Sequence, residues 1–274
     1  MLNFGGVKNF ESMKLTIIGA GNMGGATARG LLKSGAVKAC DLTLADRNES
    51  ILEVFAAEGV KVSSDNASAV KGADVVMVVV KPWIVEAVIS EIKASLDYSS
   101  QILVMIAAGV RPEQLSEWLG KDASGVAIQS MAVIPNTAVE ILQGMTFIAP
   151  VEAGEGAVAL VKGLFDKLGS AMVVPFNLLG AGTALASCGI AYAIRYIHAA
   201  SQGGVEMGFY PADAVKIVCQ TVQSAAGLIM EHGSHPEVEI DKVTTPGGVT
   251  IKGLNAMEEA GFTNAVIKGL KASK

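Results

Sequence analysis

Lys14-Leu15-Thr16-Ile17-Ile18-Gly19-Ala20-Gly21-Asn22-Met23-Gly24-Gly25 is the stretch on which the fold turns. Thr16, Ile17 and Ile18 are β-branched and suit a buried strand, and Gly19, Gly21 and Gly24 follow with the G-x-G-x-x-G spacing of a dinucleotide-binding turn. Each glycine has its own task. Gly19 permits the turn, Gly21 lets a pyrophosphate approach the backbone, and Gly24 lets the next helix lie close to the strand, its first N–H groups aimed at the phosphate. A helix-like run from Ala26 to Leu32 and an acid at Asp46, about 20 residues on, complete the pattern.

Beyond this turn, strands and helices alternate. Leu42 to Asp46 reads as a strand, Ile51 to Glu58 as a helix stopped by Gly59, Val60 to Val62 as a short strand, and Asn66 to Lys71 as a helical turn. Asp74 to Val80 is apolar after its first residue, so both faces of that strand need cover, the mark of a parallel sheet between helices. Pro82 stops it and opens a helix over Ile84 to Ser95. Further strands are predicted at Gln101 to Ile106, Ala123 to Gln129, Gly144 to Ile148 and Ala171 to Val174, with a helix over Gly154 to Leu168.

From Phe176 onward only helical patterns rich in Ala, Gly, Ile and Met remain: one through about Met207, a break at Gly208-Phe209-Tyr210-Pro211, a second from Ala212 to about His232, then a loop and a final helix. The predicted fold class is therefore α/β, with a loose extension over 1–12, a doubly wound sheet over 13–175 and an all-α region over 176–274. So much small-residue apolar surface on about 100 helical residues predicts that helices of two subunits pack together.

Among 274 residues, 26 acids against 21 bases give a net charge of −5 with no basic block, which argues against nucleic acid or an anionic membrane as the main partner. Cys40, Cys188 and Cys219 are far apart and form no C-x-x-C pair, so they suggest neither a disulfide framework nor zinc, and a cytoplasmic protein fits. Met1 to Ser12 lacks the apolar core of a signal peptide. Leu168 to Ile194 is uncharged and long enough to span a bilayer, but Pro175, Asn177 and Gly169, Gly180 and Gly182 interrupt it. It reads as a strand followed by a buried, small-residue helix, not a membrane span. His232 and His235 have no acidic or cysteine ligand at a recognised spacing, so no metal is expected.

Several loops end strands where an open α/β sheet places its ligand. Asp46 can accept from a ribose 2′-hydroxyl and favour NAD, whereas Arg47 can hold the 2′-phosphate of NADP, so the pair leaves the preference open. Lys81, in Val80-Lys81-Pro82, can donate to ribose or phosphate. Asn136, in Pro135-Asn136-Thr137, can orient a nicotinamide or form an Asx-turn. Val243-Thr244-Thr245-Pro246-Gly247-Gly248-Val249-Thr250 leaves backbone N–H groups free at the mouth of a helix, which suits a carboxylate as well as a plain cap. No G-x-S-x-G elbow or Cys-His signature supports acyl transfer.

From about Lys14 onward the chain resembles Δ1-pyrroline-5-carboxylate reductase. The resemblance is carried by Gly19-Ala-Gly-Asn-Met-Gly24, Asn66, Val80-Lys-Pro82, Ala107-Ala-Gly109, Pro135-Asn-Thr137, Gly144-Met-Thr146, Gln220-Thr221, His235-Pro236 and above all Val243 to Thr250 with Gly253-Leu254. It implies a Rossmann domain binding NADPH or NADH through Gly19, Gly21, Asn22, Met23, Gly24, Asp46, Arg47, Asn66, Val80, Lys81, Pro82, Ala107 and Asn136. It also implies a helical homodimer, assembled further to a decamer in many members. Thr250 would bond the ring nitrogen of a cyclic imino acid, with Val243, Thr245, Gly247 and Gly248 around its carboxylate. Departures at Ala132, Cys188 and Ile190 motivate one alternative, a paralogue reducing another cyclic imino acid. A second is a non-catalytic nucleotide-sensing dimer. A β-hydroxyacid dehydrogenase would need a lysine on the first interdomain helix, and Thr183 to His198 contains none.

Overall fold

The computed structural model describes residues 12–274, so the extension expected over 1–12 lies, but for Ser12, outside the described residues. The chain forms two compact units, one ending at Ser187 and the other spanning Cys188–Lys274.

The first unit is built on one eight-stranded sheet: β1 (Leu15–Ile18), β2 (Leu42–Ala45), β3 (Lys61–Ser63), β4 (Val75–Val78), β5 (Ile102–Met105), β6 (Gln129–Pro135), β7 (Gly144–Glu152) and β8 (Gly169–Val173). Their spatial order is β3-β2-β1-β4-β5-β6-β7-β8, with β1 between β2 and β4, so that Ile17 lies beside both Leu44 and Met77. All four residues of β1, β4 and β5 are buried, as strands covered on both faces must be.

The cover comes from α1 (Asn22–Lys33), α2 (Glu49–Ala57), α3 (Asn66–Ala69), α4 (Val85–Ile92), α5 (Pro112–Leu119) and α6 (Glu155–Asp166). Alternate strand residues feed two cores: Ile17, Leu44, Met77 and Val104 pack with Leu31, Phe55 and Phe165, while Ile18, Val76, Val78 and Met105 pack with Val85, Ile89 and Leu115. Replacing the fully buried Ile17 by alanine is expected to cost about 2–5 kcal/mol.

Two features of the sheet differ from the expectation. The strand placed at Ala123 to Gln129 begins only at Gln129. Asp122 accepts from the backbone N–H of Ser124 and Val126 at 2.9 and 2.8 Å, and Gly125 has φ +81°, so that segment is a turn and the buried run Ser130 to Pro135 forms the strand. The sheet is also not wholly parallel, because β7 runs antiparallel to β6. Only the short turn around Thr137–Ile141 joins them, too little chain for a parallel crossover.

After β8 come a 3-10 turn at Phe176–Leu178, α7 (Leu179–Gly182) and a π-helical turn at Thr183–Cys188. The second unit is helical throughout: α8 (Gly189–Glu206), α9 (Pro211–His232), α10 (Pro236–Lys242), α11 (Val249–Glu259) and α12 (Phe262–Ala272). The single final helix expected is two, broken at Gly261 with φ +83° and preceded by α10. A Cβ at Gly204 would come within 3.1 Å of Ala214 Cβ, so glycine allows α8 and α9 to touch. Tyr192 on α8 bonds the Gly269 carbonyl at 3.3 Å and the Ser273 hydroxyl, and Tyr196 meets Phe262 edge-on at 6.4 Å, so α8 also rests on α12.

Phe176–Glu206 is long and apolar enough, by length and composition alone, to cross a membrane. The helix expected there to be buried is largely exposed in the single chain: of α8 only Ser201 and Gly204 are buried, and Ile194 is 59% exposed. With α9 and α12 in place, Tyr192, Ile194, Tyr196 and Val205 of α8 remain exposed.

Candidate functional site

The glycine turn has the geometry that its spacing requires. Gly19 has φ +101°, and a Cβ there or at Gly24 would collide with a carbonyl oxygen, of Val79 and of Gly19 respectively. At Gly21 a Cβ would meet nothing within 4 Å, so the space above this residue is open. Gly21 caps α1 without any side-chain hydrogen bond, and the first helical bond runs from Gly25 N–H to the Gly21 carbonyl at 2.7 Å. The N–H groups of Asn22, Met23 and Gly24 thus lie before the ladder and are left for an anion.

Asp46 leaves β2 and turns back to this loop. Its Oδ2 accepts from Ala20 N–H at 2.7 Å and its Oδ1 from Asn48 N–H at 2.9 Å. The carboxylate therefore clamps the glycine turn to the end of β2. Arg47 points out, its side chain 86% exposed, with Nη2 4.0 Å from Glu91 Oε2.

Asn66, only 7% exposed, begins α3 just after β3 and donates from Nδ2 to Glu91 Oε2 at 3.1 Å. Asp65 caps the same turn by accepting from Ser68, whose N–H and hydroxyl hold its carboxyl below the usual range. Glu91 was not among the candidates from sequence. It lies on the flank of α4, beside the buried stripe of Val85, Val88, Ile89 and Ile92, and only the fold brings it to Arg47 and Asn66.

Val80, Lys81 and Pro82 follow β4, with Lys81 exposed and Pro82 opening the 3-10 turn Pro82–Ile84. Ala107 is buried just beyond β5. Asn136 is buried at the end of β6, and its side chain is engaged: Oδ1 accepts from Ala138 and Met145 N–H at 3.2 and 3.3 Å, and Nδ2 donates to the Ala186 carbonyl at 3.2 Å. Of the two roles open to it, the Asx-turn is formed. Gly19, Asp46, Asn66, Lys81, Ala107 and Asn136 all stand at the carboxyl ends of β1 to β6, the edge where such sheets bind ligands.

In the second unit the stretch Val243 to Thr250 joins α10 to α11. Gly247 has φ +72°, and Gly248 caps α11 with no side-chain bond, its N–H donating to the Thr245 carbonyl at 2.9 Å. A Cβ at Gly248 would stand 2.5 Å from Thr245 Oγ1, so glycine is what lets that hydroxyl lie against the start of α11. Val249, 84% exposed, and Thr250 form the uncapped first turn. Upstream, Glu239 accepts from Lys242 Nζ at 2.7 Å, from the Ser234 hydroxyl and from His232 Nδ1 at 3.1 Å, which together hold its carboxyl down at about 2. His235 caps α10 through Nδ1. His232 and His235 are thus both engaged in organising this connection.

A mostly parallel sheet with an uncapped glycine turn at its first helix, followed by a helical unit, defines the class: a Rossmann-type dinucleotide-dependent oxidoreductase. Residues 14–109 match the family described as NADP oxidoreductase coenzyme F420-dependent, and residues 177–274 match pyrroline-5-carboxylate reductase dimerisation. The chain is 35% identical over 271 residues to the pyrroline-5-carboxylate reductase of Methanosarcina acetivorans, covering 96% of this chain and 98% of that one. It belongs to the pyrroline-5-carboxylate reductase family. Pyrroline-5-carboxylate reductase 1 of Dictyostelium discoideum is 38% identical over 271 residues, and the match spans 94% of this chain but 48% of that longer protein. Among solved structures, a pyrroline-5-carboxylate reductase from Coxiella burnetii superposes with a TM-score of 0.86 at 26% identity over 96% of both chains.

Proposed function

We infer that this protein reduces the C=N bond of 1-pyrroline-5-carboxylate with hydride from NADPH or NADH, giving proline. The observation that carries the reading is the start of α11. There a threonine hydroxyl lies against an uncapped helix start, at a glycine where a Cβ would stand 2.5 Å from that hydroxyl, an arrangement that suits a small carboxylate.

The first unit fits a nicotinamide dinucleotide. Gly21, Asn22, Met23 and Gly24 would receive its pyrophosphate, Asp46 holds their turn in shape, Arg47 and Asn66 face the adenosine end, and Val80, Lys81, Pro82, Ala107 and Asn136 line the path towards the nicotinamide. When bound, the cofactor supplies a hydride from C4 of its reduced ring.

The protein's own contribution is orientation and charge. Thr245 and the backbone at Gly247 and Gly248, beside Val243, hold the substrate carboxylate at the positive end of α11. Thr250, one residue into that helix, directs its hydroxyl to the ring nitrogen. Among the described residues no acid is bonded to the Thr245 or Thr250 side chains, so the imine arrives protonated, as the more electrophilic iminium, and Thr250 orients its N–H and later the amine.

Residues 13–175 would then serve the cofactor and 176–274 the substrate and a second copy of the chain. The exposed apolar face of α8 supports a homodimer, which further association carries to a decamer. The three free cysteines fit a cytoplasmic location. Oxidation of NADPH and NADH followed in parallel with pyrroline-5-carboxylate, a piperideine carboxylate and a 3-hydroxyacid tests the reading. Turnover of the five-membered imine above the others is expected, and nucleotide binding without any turnover would favour a sensor instead.

A further inference from the structure

We propose that Glu91 is a positioning residue that sets how the protein discriminates between a ribose 2′-hydroxyl and a 2′-phosphate. The proposal rests on the dinucleotide reading of the first unit and concerns a residue to which that reading gives no role.

Three side chains from separate elements meet beyond the carboxyl ends of β2 and β3. Asn66 Nδ2 donates to Glu91 Oε2 at 3.1 Å, and Arg47 Nη2 stands 4.0 Å from the same oxygen. An ionised carboxylate only accepts, so Glu91 selects the amide nitrogen of Asn66 and turns Oδ1 away from itself. Among the described residues none donates to Oδ1, and this oxygen is not one of the buried side-chain atoms left without a partner, so it keeps contact with solvent although the residue as a whole is only 7% exposed. An amide oxygen fixed in orientation and open to solvent can accept from a bound ligand. The group it invites is a donor, such as a ribose hydroxyl or an exocyclic amine, and not a phosphate.

The same carboxylate acts on Arg47. This is the cation placed to meet a 2′-phosphate, and Glu91 both competes for it and repels the incoming anion. Arg47 is 86% exposed and Glu91 36%, so solvent screens the pair and the effect is moderate, weakening as salt is raised. Asp46, the acid that sequence reasoning assigns to the ribose, has both its oxygens engaged by the backbone of Ala20 and Asn48. Glu91 thus adds a second carboxylate, from α4, to the one that Asp46 holds at the end of β2.

The test is calorimetric titration of the full-length protein with NAD⁺ and NADP⁺, comparing the wild type with Glu91→Gln. Glutamine removes the charge and can bond either end of the Asn66 amide. The ratio Kd(NADP⁺)/Kd(NAD⁺) should fall by about tenfold, a shift that shrinks on going from low to high salt. Glu91→Asp, which keeps the charge on a shorter stem, should move the ratio the same way by less, and it serves alone if the glutamine variant does not fold. In the Glu91→Gln background, Arg47→Gln should weaken NADP⁺ more than it does in the wild type, because the arginine is then free to bind phosphate. A purely structural role for Glu91 would weaken both nucleotides alike. An unchanged ratio, or one that rises, overturns the proposal, whereas a wild type that binds neither nucleotide overturns the dinucleotide reading itself.

Discussion

Among the described residues the unit up to Ser187 buries two cores of its own, whereas the helices from Gly189 onward bury almost nothing. Strands β1, β4 and β5 are buried to the last residue between two layers of helix, whereas α11 and α12 have no buried residue at all, and Met230 on α9 is 84% exposed. Tyr192, Ile194, Tyr196, Val205, Phe262 and Ile267 add to that exposed apolar surface. A monomer does not leave so much uncovered without a purpose. The first unit carries an open glycine turn, and the second, which matches a dimerisation family, leaves its apolar helix faces exposed and carries Thr245 to Thr250 at the start of α11.

The largest effect should come from attacking the difference directly. Ile194→Glu places a charge on the exposed face of α8, and if that face is the contact between copies, dimer dissociation should strengthen by at least about a hundredfold. Light scattering at micromolar concentration would then show a monomer, and an unchanged mass would place the contact elsewhere. Gly24→Ala probes the opposite unit. Its Cβ collides with the Gly19 carbonyl, so nucleotide affinity should fall by about a hundredfold, with a stability loss of about 1–3 kcal/mol and no change in oligomer size.

Thr250→Ala is expected to lower kcat/KM for the imine by about 10- to 30-fold, corresponding to one hydrogen bond to a charged group, while leaving the cofactor Kd within about twofold. A cofactor Kd that moves as far as kcat/KM would refute the assignment to substrate. The smallest effect is on acid stability. Glu239 has its carboxyl depressed to about 2 from 4.5 by Lys242, Ser234 and His232, so its contribution is fully present above about 4.5 and fades as pH falls towards 2. Glu239→Gln should be less stable than the wild type at pH 6, and the gap should close by about pH 2. A gap that persists there would mean that packing, not charge, is at work.

How legible all this was in the sequence depends on the range of the cause. The glycine turn, the buried strands Leu15 to Ile18 and Val75 to Val78, and the change to helix after Pro175 are dictated by neighbours, so local pattern sufficed. The start of β6 was misplaced because Asp122 and Gly125 bend a segment whose composition alone allowed a strand. The reversed β7 follows from a connection too short for a crossover. Asp46 was legible as a residue of the site, but its bond to Ala20 was not, since that bond depends on β2 lying beside β1. Glu91 gave no signal: it is 25 residues from Asn66 and reaches it only once α4 has packed on the sheet.

The central claim is hydride transfer to a cyclic imine, and isotope transfer tests it most directly. Protein incubated with pyrroline-5-carboxylate and NADPH deuterated at the transferring C4 position should yield proline heavier by one mass unit, with the label on the former imine carbon. Proline without the label, or no proline while the nucleotide is bound, would contradict the account.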